Sequence, residues 1–264
     1  MMIVQNKKYS GFLWHFIFAG LFIGLSLLGM QFLEGIAWNL FSAFLRIIFG
    51  IAILVLSSKL FEKKAKDILE NKNTKTALIA GSGFLLYFVY YIITVASGFG
   101  KVAGLTLGYF ISKAIIQQIT TGFYEELNYR FLLLEGLKYT KNTITCKLLY
   151  VFLSSILFGL LHCVTGWNTY TFLQTGAIGF AFAVMFVKSE NIVLPMILHF
   201  LYDIIAVTAP YIEWDHNPLF DNISYVFEFI IVIMFVISFV MLIVLKEENV
   251  PHNSAREDDK IKKG

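Results

Sequence analysis

Apolar stretches of about 20 residues recur along the whole of this chain, separated by short polar connections, and that pattern leaves few folds open. A helix of about 20 apolar residues crosses the roughly 30 Å hydrocarbon core of a bilayer. Inside lipid each backbone donor and acceptor must find a partner within the protein, and a helix satisfies that demand within one segment. Eight such stretches are legible, over about 11–33, 38–58, 77–98, 104–122, 148–164, 169–187, 191–209 and 224–245. Only 15% of the residues are charged, where an ordinary soluble domain has about 25%. The fold class expected is therefore all-α, a polytopic transmembrane helical bundle of about eight spans. No basic patch stands apart from the membrane flanks, so nucleic-acid binding has no support.

The lysines sort to one side of this arrangement. Lys7 and Lys8 precede the first span, and Lys59, Lys63, Lys64, Lys66, Lys72 and Lys75 fill the second connection. Lys138, Lys141 and Lys147 precede the fifth span, and Lys188 follows the sixth. The opposite connections hold Glu34, Lys101, Glu213, Asp215 and Asp221. Cytoplasmic loops are enriched in Lys and Arg, so both termini are expected in the cytoplasm. The first apolar run is longer than a signal-peptide core and lacks a small-residue cleavage site, so it reads as a retained span. Residues 61–74 read equally as an amphipathic surface helix or a solvated loop, and the charged tail after Lys246 as disordered. Cys146 and Cys163 fall near opposite ends of one span, too far apart for a disulfide. No internal repeat is evident, which weighs against a transporter built from duplicated halves.

The fourth span poses a length problem. Apolar character begins near Leu105 and continues to Leu137, which as one helix is roughly 50 Å at 1.5 Å per residue. It must tilt or break, and Thr120-Thr121-Gly122 is the expected breaking point.

Three polar motifs interrupt the apolar helices: Glu125-Glu126-x-x-x-Arg130, Phe158-x-x-x-His162 and His199-x-x-x-Asp203. Ionisable groups inside spans are costly and mark cavities, pairs or chemistry. Residues four apart share a helical face, so Glu126 can pair with Arg130 and His199 with Asp203. Glu125 is rotated about 100° from Glu126, which leaves it free to face a reaction space. Read alone, each motif also fits a structural ion pair or an interfacial histidine. Depth links the three. Glu125 lies about 20 Å along its helix from Lys138, His162 about 22 Å from Lys147, and His199 about 16 Å from Lys188, at 1.5 Å per residue. A shared central polar cavity explains the matching depths, and it is expected to open toward the cytoplasm. Arg46 and Lys113 sit in spans near no motif and read as snorkelling or paired cations. Gln117 and Gln118 are possible cavity residues, Gly176 and Gly179 packing positions, and Pro195 the site of a kink that frees a carbonyl.

The ordered motif set resembles the CPBP family, the CAAX-protease and bacteriocin-processing membrane proteins often labelled Abi. The resemblance covers about residues 105–210 and divides the chain into variable N-terminal spans with their connection (1–103), a catalytic core (104–210), and a last span with a charged tail (211–264). It implies an intramembrane endopeptidase with a cone-like cavity. By it, Glu125 with His162 would activate a water, and His199 with Asp203 would hold the oxyanion or orient its donor. Glu126, Arg130 and Phe158 would support the site. The third motif ends in Asp203 where related enzymes commonly have Asn, and a negative carboxylate cannot itself donate to an oxyanion.

Two chemistries fit these residues. In the preferred one no cofactor is needed, because Glu125 has a partner in His162. In the other, Glu125, His162, His199 and Asp203 would hold Zn²⁺, whose bound water is acidified; no His-Glu-x-x-His is present to build the usual helical site. The partners expected are the lipid bilayer and a membrane-associated peptide or protein substrate. Nothing in the sequence specifies an oligomeric state. A rival function is a non-catalytic bacteriocin-immunity or scaffolding protein that binds a peptide in the same cavity; another is a transporter using the carboxylates as a proton relay.

Overall fold

The computed structural model describes residues 10–138 and 144–246. Lys7, Lys8, Lys141 and the tail after Lys246 lie outside the described residues. The chain is a helical bundle. Helices α1 (Ser10–Gly29) and α2 (Gly35–Leu60) form an antiparallel pair. A single turn, α3 (Ala65–Ile68), is all the helix found in the lysine-rich connection, where Phe61 and Ile68 are buried. The third expected span is two helices, α4 (Thr74–Ala80) and α5 (Ser82–Ser97), bent by 70° at Gly81. The Met185 side chain occupies the space a side chain at Gly81 would need.

The fourth expected span is part of a longer helical run over 107–138, labelled α6, and it does not break at Thr120-Thr121-Gly122. An α-helical stretch covers Gln117–Glu126, and π-helical stretches cover Ile111–Ile116 and Leu127–Leu132 on either side of it. Both threonine hydroxyls are absorbed within the helix, each donating to the Gln117 carbonyl at 2.8 Å. Gly122 instead serves a close approach: a Cβ there would lie 2.9 Å from the Met196 carbonyl oxygen of a neighbouring helix. The π stretches each admit an extra residue per turn, and the second contains Arg130.

Three helices complete the half of the bundle that carries the polar motifs: α7 (Ile144–His162), α8 (Thr169–Ser189) and α9 (Val193–Thr208). In α8, 67% of its most apolar window is buried, against 17–39% in the other five helices of spanning length, so α8 is the central helix. Gly179 lets it pack on Phe158 of α7, and Ser155 of α7 donates to the Gly176 carbonyl at 2.7 Å. Pro195 occupies the first turn of α9, where backbone N–H groups have no intrahelical acceptor in any case. It therefore neither kinks the helix nor frees a carbonyl within it, contrary to expectation. Asn191 steadies this start by accepting from Leu194 N at 3.0 Å and donating to the Lys72 carbonyl at 2.6 Å.

Beyond α9, a short 3₁₀ turn leads to β2 (Ile212–Trp214), which pairs antiparallel with β1 (Phe99–Val102). Lys101 meets Glu213 across this ribbon at 3.1 Å. Helix α10 (Pro218–Tyr225) then precedes α11 (Phe227–Val244). Six helices are long and apolar enough to cross a membrane, seven if the α4–α5 pair counts as one, besides the interrupted α6. Their outer faces expose residues such as Leu13, Val55, Val89, Leu149 and Val236. Such continuous apolar exposure suits lipid and not water.

Candidate active site

The three motifs meet where α6, α7 and α9 face one another, and His199 is the hub. Its Nδ1 lies 3.0 Å from Glu126 Oε1, as a hydrogen bond that the ring donates to the carboxylate. Its Nε2 lies 3.4 Å from Asp203 Oδ2 and 3.9 Å from Glu125 Oε2. Gly122, one turn before Glu126, lets α6 come close enough to α9 for these contacts. The Phe158 and Phe182 rings flank the imidazole at 5.7 and 5.8 Å between centroids.

Glu126 and Arg130 form the expected pair: Arg130 Nε faces Glu126 Oε2 at 3.2 Å, with both side chains fully buried. The two atoms sit opposite each other as charges without hydrogen-bond alignment. Arg130 also donates to Ser154 Oγ at 3.0 Å and stacks over the Phe158 ring at 4.5 Å. Glu126 is thus more than a counter-ion. It links the guanidinium on one side to the His199 ring on the other.

Glu125 and His162 both line a cavity of about 380 Å³, but they do not form the direct couple expected from the sequence. His162, at the end of α7, donates from Nδ1 to its own helix at Phe158 O, 2.8 Å away. That bond fixes the tautomer of the neutral ring and leaves Nε2 as its basic nitrogen. The imidazole nearest to Glu125 is His199. Among the described residues, Glu125 Oε2 is buried and has no hydrogen-bond partner. The carboxylate is therefore held in the wall of a cavity with an acceptor to spare, where a water molecule or a substrate donor would satisfy it.

Arg46 and Lys113, read from the sequence as remote from the motifs, line this same cavity with Glu125 and Asp203. Arg46 lies over the Phe22 ring at 4.8 Å and donates to Ser42 Oγ on its own helix. Helical spacing within α2 carried no sign that α2 packs against α6 at this level. Gln117, Gln118 and Thr121 also line the cavity. Two carboxylates and two cations thus face one space.

The sequence reading expected an opening on the lysine side, whereas the cavity's lining extends toward the other end of the bundle. The cavity's outermost lining residues are Met30 and Trp38, at the α1–α2 turn, and Val164 and Thr165, just past α7. That end of the bundle also carries the β1–β2 ribbon, and it is opposite the lysine-rich connection. Among the described residues, the lysine-side ends of the helices are packed together. Gly11 of α1 meets Gly136 of α6 backbone to backbone, Lys63 pairs with Glu135 at 2.9 Å, and Lys188 donates to Leu245 O at 2.7 Å. Phe131, Leu132, Tyr150 and Phe180 fill the bundle interior.

Among the described residues, no group of three His, Cys, Asp or Glu is arranged to hold a metal ion. His199 Nδ1 is committed to Glu126 and His162 Nδ1 to a backbone carbonyl. That leaves Nε2 of each ring as the nitrogen available to a water, a substrate or a metal ion.

These features define a class: a polytopic helical membrane protein with a buried glutamate–histidine site at the wall of a cavity of about 380 Å³. Residues 107–205 match the family model described as Type II CAAX prenyl endopeptidase Rce1-like, a membrane-protease family. The matched segment contains all three motifs and the helices that position them. No curated protein and no solved structure matches the chain.

Proposed function

We propose that the protein is an intramembrane endopeptidase in which Glu125 activates a water molecule for attack on a peptide carbonyl of a membrane-associated polypeptide. The observation that carries this reading is the unpartnered carboxylate oxygen of Glu125, buried in the cavity wall 3.9 Å from His199 Nε2. Glu125 takes a proton from the water as its oxygen bonds to the carbonyl carbon. His199, in its protonated form, offers its Nε2–H to the oxyanion. Glu126 fixes this ring from the other nitrogen, and Asp203, 3.4 Å from Nε2, steers the same N–H. Asp203 thus acts through His199, which removes the difficulty of an acidic residue where related enzymes carry Asn. When the C–N bond breaks, the leaving amine takes the proton from Glu125. His162, at the cavity rim, presents its Nε2 to the attacking water or the leaving group. General acid–base groups of this kind each contribute about 10²–10⁴-fold.

The N-terminal spans lie outside the matched segment. We read both termini as cytoplasmic, on the side that carries most of the lysines. The test is cleavage of a peptide library by the purified, detergent-solubilised protein, with fragments read by mass spectrometry. Cleavage that persists with a chelator and disappears in Glu125→Gln supports the reading. Loss on chelation with recovery on added zinc would replace the water-activating carboxylate by a metal site at His162 and His199.

A further inference from the structure

We infer that the catalytic cavity opens to the non-cytoplasmic face of the membrane, so that its substrates are exported polypeptides or outward-facing segments of membrane proteins. The inference rests on the peptidase reading for the word substrate, and on geometry and charge for the direction.

The geometry is independent of any activity. Every span is antiparallel to the next, so the ends of the helices fall into two sets. One set holds the start of α1, the α2–α4 connection, the start of α7, the α8–α9 turn and the end of α11. Cross-links between distant segments confirm that these belong together: Lys63 with Glu135, Lys72 with Glu190, Asn191 with Asn71, and Lys188 with Leu245 O. The other set holds the α1–α2 turn, the β1–β2 ribbon, the α7–α8 loop and α10, joined by Asn39 to Ser112, Asn217 to Ser97 and Lys101 to Glu213. The cavity's lining includes Met30, Trp38, Val164 and Thr165 at the second set of ends and, among the described residues, none at the first.

The charges then assign the faces. In the described connections of the first set lie Lys63, Lys64, Lys66 and Lys72, with Lys59, Lys75, Lys147 and Lys188 at the adjoining helix ends. In those of the second set the sole Lys or Arg among the described residues is Lys101, while Glu34, Glu213, Asp215 and Asp221 are acidic. Short loops with this asymmetry place the lysine-bearing end in the cytoplasm. Met30, Trp38, Val164 and Thr165 then rim a mouth on the far side. Among the described residues the cytoplasmic end is filled by packed side chains and held by the ion pairs above, and none of them lines the cavity. Arg46 and Lys113, inside the mouth, give an entering chain two cations to pass before it reaches the carboxylates.

The experiment is accessibility mapping in bacterial spheroplasts. Single cysteines are placed by Thr165→Cys or Trp167→Cys at the cavity mouth, and by Lys66→Cys in the lysine-rich connection, in a Cys146→Ser, Cys163→Ser background. A membrane-impermeant maleimide is expected to label positions 165 and 167 in intact spheroplasts, and position 66 only after the membrane is opened. The reverse pattern would overturn the inference. A second measurement needs no cysteine change: a fluorescent protein that matures only in the cytoplasm, fused after residue 264 of the otherwise unchanged chain, is expected to fluoresce, and a dark fusion with full-length protein in the membrane would also overturn it. Glu125→Gln is expected to label as the parent does. Correct labelling without peptide cleavage would therefore sink the peptidase reading and leave the orientation standing, whereas cleavage with reversed labelling would do the opposite.

Discussion

At the scale of single residues, helical spacing gave the pairs within one helix and missed the partners on other helices. Spacing of four along a helix reveals only neighbours on the same helix, so Glu126–Arg130 and His199–Asp203 were legible. The bond from His199 to Glu126 joins residues 73 apart in sequence, and no local pattern announces it. Glu126 therefore carries two loads, and its loss is expected to show in both. Glu126→Gln is expected to lower cleavage at least 10²-fold by freeing the His199 ring, and to destabilise the fold by about 3–5 kcal/mol because Arg130 is left as an uncompensated buried charge. Paired rate and thermal-melting measurements check this; an inactive variant with the parent's melting temperature would contradict it. Asp203 acts through one oxygen acceptor, which Asn retains. Asp203→Asn is expected to keep activity within about tenfold, or 1.4 kcal/mol of barrier, while Asp203→Ala loses about a hundredfold; equal losses would show that the charge itself is required. Arg46 offsets the carboxylates across the cavity, so Arg46→Met is expected to cut turnover several-fold with the protein still inserted, as measured by cleavage per mole of membrane-extracted protein.

Among the elements, apolar length was a sufficient signal for most spans, because a helix of about 20 apolar residues has no stable alternative in lipid. What length could not show was how a long helix accommodates its excess. The run 107–138 stays helical by taking up π stretches around the Glu125–Glu126 segment, a choice made by packing against α2 and α9 and not by Thr120 or Gly122. The β1–β2 ribbon was missed because four- and three-residue strands leave no period to read. Pro195 misled for a positional reason: two residues into α9 it is harmless, and only the true start of that helix reveals this. Gly122 is where the elements set the chemistry. Any larger side chain meets the Met196 carbonyl, and overpacking of this kind costs about 1–3 kcal/mol. Gly122→Leu is expected to push α9 away and reduce turnover by more than it lowers the melting temperature in proportion; a variant with unchanged kinetics would show that the α6–α9 approach does not position His199.

For the molecule as a whole, the matched depth of three motifs pointed to a shared cavity opening on the lysine side, whereas the residues lining the cavity of about 380 Å³ lead from Glu125 toward the α1–α2 turn. Depths of about 16–22 Å from the lysines, at 1.5 Å per residue, already lie past the middle of a core of about 30 Å. His162 ends α7 at the face away from the lysines, Glu125 and His199 sit mid-helix, and the cavity lining continues from Glu125 toward that face. The central claim is that a proteolytic site is built around Glu125 within the span region. Its most direct test is the single-turnover cleavage rate in proteoliposomes for wild type and Glu125→Gln, with melting temperatures measured alongside. A fall of at least 10³-fold at an unchanged melting temperature is the predicted result, since Glu125 Oε2 makes no hydrogen bond that the fold would miss. Cleavage by Glu125→Gln at the parent's rate would contradict the account.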